Sequence, residues 1–374
     1  MIYAVISEFN PFHNGHRYLL AQLPRGEEDY TVCFMSGSFV QRGEPAAFDK
    51  WERAAAAVRH GADIVFELPL PFALSDGDRF AAKGVELAAA LGLPATLAFG
   101  TESESIEGLI RLASLSEETL SPLMKENLER GLSYGAARQA ALEALCPEDA
   151  AQLRSPNNLL ACGYIRACLQ KGLAFQGIRR TAPHDGAPIG NIASASHIRQ
   201  HPETFGQFCP CEQGPMLSTE TAERGMLTLL KTKTAEQLKA TANISEGLEN
   251  RILAALAECA TLPTLYDTIK TKRYSHAKLR RAVASAALGL PAGLPEQDAP
   301  YLRVLAFGER GRTLLKQLRT TAALPLCQSG RECQAASPAF FEMERLATDL
   351  WCSWLMEPLP AGEDYRRGAI YIPE

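Results

Sequence analysis

The sequence predicts an α/β protein in two parts: a doubly wound sheet domain that carries a helical insertion, then a mainly α-helical C-terminal domain. Three observations carry that reading. The first hundred residues alternate short apolar runs with helical stretches, the pattern of βαβ units around a parallel sheet. Residues 102–154 are rich in Ala, Leu and Glu and lack strand signals, which marks an insertion. A cluster of Cys209, Pro210, Cys211, Gly214 and Pro215 then breaks the pattern. It sets the expected domains at 1–208 and 209–374.

In order, the apolar run over 2–7 reads as a strand and 14–23 as a helix, followed by a strand over 30–35. An Ala- and Arg-rich helix over 51–60 leads to a strand over 63–68, a helix over 79–91 and a strand over 96–99. After the insertion come a helix over 158–171, a strand over 174–179 and a short helix opening near Ser194. The remainder reads as helices over 219–231, 234–242 and 245–259, with one further strand and helix over 302–307 and 310–318.

Composition bounds the class. The chain has 374 residues, 46% of them apolar and 22% charged, which excludes fibrous and disordered proteins. A net charge of −5 argues against a surface that binds nucleic acid all over, so any such contact is a local patch. The start lacks a basic leader region, and the apolar segment 64–74 is interrupted by Glu67, Pro69 and Pro71. No membrane segment is expected, and the cytoplasm is the expected compartment. The ten cysteines include no C-x-x-C pair, so they are expected to be reduced, mostly buried residues, and no metal site is expected.

The chemistry centres on His13-Asn14-Gly15-His16, an H-x-G-H directly after the first strand at the opening of the first helix. A helix N-terminus offers free N–H groups and a positive dipole end, a ready phosphate site. Two histidines there can donate hydrogen bonds to the oxygens of a nucleotide triphosphate as its α-phosphorus is attacked, and Gly15 allows close approach. Downstream, Ser194-Ala195-Ser196-His197-Ile198-Arg199 places hydroxyls at a helix start with a cation one turn inside, a second phosphate cradle.

These two motifs resemble the HIGH-type nucleotidyltransferase superfamily, whose Rossmann-like domain pairs H-x-G-H with an S-S-S-x-x-R motif. Ala195 stands where that pattern has a hydroxyl. The likeness sharpens in the stretch Phe9-Asn10-Pro11-Phe12-His13-Asn14-Gly15-His16. It continues through Met35-Ser36-Gly37-Ser38-Phe39-Val40-Gln41-Arg42-Gly43-Glu44-Pro45-Ala46, Asp49-Lys50-Trp51, Gly61-Ala62-Asp63, Glu67-Leu68-Pro69, Phe99-Gly100-Thr101-Glu102 and Ser155-Pro156-Asn157-Asn158. In this order the string resembles the bacterial tRNA(Met) cytidine acetate ligase family. Lys272-Arg273-Tyr274 and the run 301–307 are also similar to it.

The resemblance implies an enzyme that activates acetate with ATP as acetyl-adenylate, releases pyrophosphate, and acetylates N4 of the wobble cytidine of elongator tRNA(Met). ATP is then a substrate, with Mg2+ expected beside it, and no protein partner is implied. Carried over by motif, the ATP site takes in Ile6, Ser7, Glu8, Phe9, Asn10, Pro11, Phe12, His13, Asn14, Gly15, His16, Arg17, Tyr18 and Leu19. Gly100, Asn157, Arg180 and Ser196 complete it, and His13, His16 and Arg199 are the expected catalytic residues.

Three further features invite roles. The long loop 36–49 between a strand and a helix reads as a substrate contact or as a solvated surface loop. Within it, Asp49 is a natural helix N-cap. Glu67 interrupts an apolar strand and is expected to pair with a cation or backbone donor. Finally, Lys270, Lys272, Arg273, Lys278, Arg280 and Arg281 crowd a segment without acidic residues, with Tyr274 as a candidate stacking ring. That segment reads as a tRNA-backbone contact or as a solvated helix face, and Arg179 and Arg180 with His184 form a second cationic spot. Adenylylation of a small phosphorylated metabolite, and RNA binding on a relict nucleotide fold, stay open as alternatives.

Overall fold

A computed structural model describes residues 1–180 and 188–373 of the chain; His184 lies outside the described residues. The sheet is built on five parallel strands, β1 (Ile2–Ser7), β2 (Tyr30–Ser36), β3 (Ile64–Leu68), β4 (Ala95–Thr101) and β5 (Ala174–Arg179), in the order β3-β2-β1-β4-β5. The direction of winding reverses between β1 and β4, so a crevice opens beyond their carboxyl ends. Both faces of the sheet are covered. On β2, Val32 and Phe34 pack to one side with Phe80, Val85 and Ala88, while Cys33 and Met35 pack to the other with Trp51, Ala54 and Ala57. That two-sided burial explains why the strands read as unbroken apolar runs.

Crossover helices start where polar caps stand. His13 caps α1 (Asn14–Ala21), and Asp49 caps α2 (Lys50–Arg59) by accepting from the N–H groups of Trp51 and Glu52. Asp76 caps α3 (Gly77–Ala89), and α4 (Pro156–Lys171) ends at Gly172 in the left-handed region, φ 67°. The insertion is helical as expected, with Glu107–Ala113, Glu117–Glu129 and Tyr134–Leu145 packing Leu109, Leu112, Leu120 and Leu142 into the core.

The expected boundary at 208/209 is corrected in one respect: the second half of the chain is not confined to helices beside the sheet. Strand β6 (Leu302–Phe307) pairs antiparallel with β3, and its free edge takes β7 (Leu326–Cys327) and β8 (Ile370–Tyr371). The described residues thus form one eight-stranded sheet from both halves. Polar groups at its centre cross the same boundary. Lys50 Nζ lies 2.8 Å from both Glu67 Oε1 and Asp364 Oδ1, and Arg303 reaches Glu67 Oε2 at 2.9 Å and Asp364 Oδ1 at 2.5 Å. Glu67 therefore has the partners its burial demands. The rest of the C-terminal half is helical as expected, including Thr219–Lys231, Leu248–Leu256, Leu262–Ile269 and His276–Leu288.

The long loop is also more ordered than the sequence suggests. It holds a two-stranded hairpin, Phe39–Val40 against Glu44–Pro45. Its turn docks on the helix His276–Leu288: Gly43 has φ 77°, and a Cβ there would run into the Arg280–Arg281 backbone. Glu44 at the hairpin's end pairs with Arg280.

Candidate active site

The site grows out of the turn between β1 and α1. The chain leaves Ser7, takes Phe9 through a left-handed conformation (φ 45°) and passes a cis Asn10–Pro11 bond before entering the helix at His13. Asn10 is held by the hairpin loop, its Oδ1 accepting from Ala47 N at 2.7 Å. Phe9 and Phe12 pack edge to face with centroids 5.1 Å apart, and Phe9 backs the His16 ring at 4.9 Å. This apolar wedge holds the His13 and His16 rings stacked, 3.7 Å between centroids.

Their hydrogen bonds define their chemistry. His13 Nδ1 accepts from Gly15 N at 3.1 Å, and His16 Nδ1 accepts from His13 N at 3.3 Å. Both rings are therefore acceptors at Nδ1, which assigns the ring hydrogen to Nε2. Burial, with Arg180 and Arg199 nearby, lowers His13 to a pKa of about 3, and burial, His13 and Arg180 lower His16 well below the usual histidine range. The pair stays neutral at pH 7 and presents N–H donors, not acids or bases. Gly15 is constrained by the same cap, since a Cβ would lie 2.9 Å from His13 Cε1.

The opposite wall is cationic. Ser194 caps the short helix Ala195–Gln200, from which Arg199 donates to the Asn10 carbonyl at 2.6 Å and lies 3.4 Å from Ser196 Oγ. At the end of β5, the Arg180 N–H is bound to the Thr101 carbonyl at 2.9 Å, and its side chain passes over Gly100. Among the described residues, Arg180 Nε and Ser7 Oγ are buried without a hydrogen-bond partner. At the far end Asn157 donates to Glu102 Oε1 at 2.6 Å.

The structure brings His13, Gly15, His16, Gly100, Arg180, Ser196 and Arg199 around one crevice at the switch point. Ile6 is buried in the core, Tyr18 and Leu19 pack on the apolar layer, and Arg17 is exposed. Of the second cationic spot, Arg179 pairs with Glu104 at 3.1 Å, Arg180 passes over Gly100, and His184 lies outside the described residues. Two supporting residues escaped the sequence reading. Arg53, fully buried, binds the carbonyls of Glu8, Ser36 and Phe48 and so fixes the ends of β1 and β2. Asn158 accepts from Thr101 Oγ1 and Glu102 N, both at 2.9 Å, and orders the end of β4. Asn158 stood visible in the S-P-N-N turn, whereas nothing in an Ala-rich helix singled out Arg53.

Residues 1–364 match the HIGH Nucleotidyl Transferase family model. A tRNA(Met) cytidine acetate ligase of Acetivibrio thermocellus is 31% identical, with 99% of this chain and 100% of that protein covered. The chain belongs to the tRNA(Met) cytidine acetate ligase family. A ligase of the same name from Syntrophotalea carbinolica is 35% identical over 86% of this chain and 83% of its own length. Among solved structures, Thermotoga maritima TmcAL bound with alpha-thio ATP superposes with a TM-score of 0.90 at 27% identity, covering both chains completely.

Within this ligase-family fold, the basic segment divides. Lys272 and Arg273 are exposed on a tight turn, with Lys270 and Lys278 half-buried beside them. The turn helps line a cleft of about 380 Å³ with Arg251 and, from the insertion, Gly131. Arg281 is only 8% exposed and is corrected as an open phosphate contact, while Arg280, partly exposed, is paired with Glu44. Tyr274 is corrected as a stacking ring. It is 4% exposed, its hydroxyl is 3.3 Å from the Ser245 carbonyl, and Lys278 Nζ lies 4.8 Å over its ring. Among the described residues no group of three or more His, Cys, Asp or Glu is placed to hold a metal ion, and no helix is long and apolar enough to cross a membrane.

Proposed function

We propose that this chain activates acetate with ATP and transfers the acetyl group to N4 of the wobble cytidine of elongator tRNA(Met), in the cytoplasm. The observation that carries the reading is the stacked, neutral His13–His16 pair at a helix N-terminus, facing Arg180 and Arg199 across the switch point. ATP lies with its triphosphate over α1 and its base toward Gly100 and Asn157. A Mg2+ ion would ride on the triphosphate oxygens and lessen their charge.

An acetate oxygen attacks the α-phosphorus, forming the mixed anhydride as the bond to pyrophosphate breaks. Charge builds on the phosphate oxygens in that step. The two Nε2–H donors and the fixed guanidinium groups are set to meet it without reorganising. The amine then attacks the acetyl carbon, and AMP leaves. Incubation with ATP, labelled acetate and bacterial tRNA, followed by nucleoside mass spectrometry, tests the reading. ATP-dependent label in N4-acetylcytidine is the expected result. ATP cleavage with no label in any nucleoside would instead favour adenylylation of a small metabolite.

The exposed turn supplies the RNA contact in this reading. Lys272→Ala with Arg273→Ala should weaken tRNA binding and lower the slope of log K against log salt by about 2, one per lost phosphate contact. Acetate-dependent ATP–pyrophosphate exchange should not change. An unaltered salt slope would remove the turn from the RNA surface.

A further inference from the structure

Acetyl transfer needs a proton acceptor, because the cytidine amine must lose a proton when its nitrogen bonds to the acetyl carbon. The histidines of the site do not supply it. Each is neutral, but its Nδ1 is already occupied by a backbone N–H, and its Nε2 carries the hydrogen. Glu102, at the far end of the crevice, is bound by Asn157.

We propose that Glu8 is the catalytic base of acetyl transfer, accepting a hydrogen bond from the cytidine N4 amine and then its proton. This rests on the ligase reading above and deepens it. Glu8 follows β1 directly, at the carboxyl end of the strand beside the switch point. One carboxylate oxygen, Oε1, accepts from Gln41 N of the hairpin at 2.8 Å, while the Glu8 carbonyl is held by Arg53 at 2.6 Å. The side chain is therefore tied to the hairpin, although Glu8 lies in the stretch expected to line ATP. The same hairpin reaches the helix that follows the exposed basic turn, where its own turn seats Gly43 on the Arg280–Arg281 backbone. The segment bearing Glu8 thus links the ATP crevice to the helix that follows the exposed basic turn.

Among the described residues, the charged and titratable groups facing Glu8 are Arg42 and Glu44 on the hairpin, Arg53 on α2, Arg199 on the short helix Ala195–Gln200, and Tyr164 on α4. Burial raises the Glu8 carboxyl above its ordinary value, against the lowering pull of Gln41 N–H, Arg42 and Arg199. A base shifted that way is better matched to proton transfer near neutral pH than a free carboxylate. A carboxylate is also the natural acceptor for the amino group of cytosine, and uracil offers no such donor. In the step, N4 bonds to the acetyl carbon, the acetyl–phosphate C–O bond breaks with its electron pair leaving on AMP, and the amine proton passes to Glu8.

Glu8→Gln tests this, because the amide keeps the size and still accepts from Gln41 N. With the wild type and variant side by side, thermal unfolding should coincide, showing that the variant folds, and any loss of acetate-dependent ATP–pyrophosphate exchange should be at least tenfold smaller than the loss of acetyl transfer. N4-acetylcytidine formation should fall by about 10²-fold or more, the usual contribution of a general base. Glu8→Asp should restore part of the transfer and keep its fall at acid pH, which the Gln variant lacks. Equal losses in exchange and transfer, or transfer within tenfold of wild type, would overturn the assignment. A wild-type protein without acetate-dependent exchange would instead overturn the ligase reading, and the role of Glu8 with it.

Discussion

His16→Ala should reduce acetate-dependent ATP–pyrophosphate exchange by about 10²–10³-fold, the typical loss when one preorganised donor to a developing oxyanion is removed. The affinity for tRNA should stay nearly the same, because the exposed basic turn lies outside the ATP crevice. The argument is geometric. His16 Nδ1 is occupied by His13 N, so the only function left to the ring is its Nε2–H. The pH dependence is equally specific. Both histidines titrate below the ordinary value, His13 at about 3, so neither gains charge between pH 6 and 8. The exchange rate should show no histidine inflection near 6.5. In stability the sign is reversed from that of a salt-bridged histidine. The unfolded chain takes up protons at about 6.5 and the folded one only at much lower pH, so the pair weakens the fold progressively as pH drops below 6.5. Retained exchange in the Ala variant, or an inflection near 6.5 that disappears with it, would refute the role.

Asp364→Ala should destabilise the fold by about 3–5 kcal/mol, because it strips a buried carboxylate from two buried cations. Lys50 and Arg303 both bind Asp364 Oδ1, and all of these side chains are at most 2% exposed. Glu67 remains in the variant, so two cations would share one close carboxylate. Burial alone would push the Asp364 carboxyl up, but Arg303 and Lys50 overcome it and hold it at about 2. Its folded value lies below the ordinary 3.8, so its stabilising contribution is present above pH 4 and disappears as pH falls through about 2. Urea unfolding at pH 7 checks the first point, and acid unfolding of the wild type checks the second. A loss under about 1 kcal/mol with an unchanged m-value would show that the pairs are not coupled as described. The same network predicts that a fragment of residues 1–208 does not fold alone, since Arg303, Asp364 and the neighbour of β3 all come from beyond it.

Much of the site was legible because its signals are local. H-x-G-H after a strand states a helix cap within four residues, and S-A-S-x-x-R does the same for the helix that opens at Ser194 and carries Arg199. Asp49 as an N-cap and Glu67 as a paired carboxylate followed from the same kind of reasoning, because an uncapped helix end and a lone buried charge are both costly. Arg53 was not legible. Its value lies in reaching four carbonyls from three segments, and no spacing along α2 encodes that convergence. Tyr274 and Arg281 misled for the opposite reason: aromatic and basic residues in one segment look alike in sequence whether they face solvent or the core.

By itself, then, the amino-acid sequence determined the parallel α/β start, the histidine-capped helix end and the family of the chain. Each depends on contacts a few residues apart or on an ordered string of motifs. The tertiary structure alone decided that the sheet continues into β6, β7 and β8, that Lys50 and Glu67 are completed by Arg303 and Asp364, and that the hairpin bridges Glu8 to the Arg280–Arg281 backbone. Those pairings join residues tens to hundreds of positions apart. A short edge strand such as Ile370–Tyr371 has too few residues to show a period, and a buried ion pair gives no sign in sequence of which opposite charge it will meet.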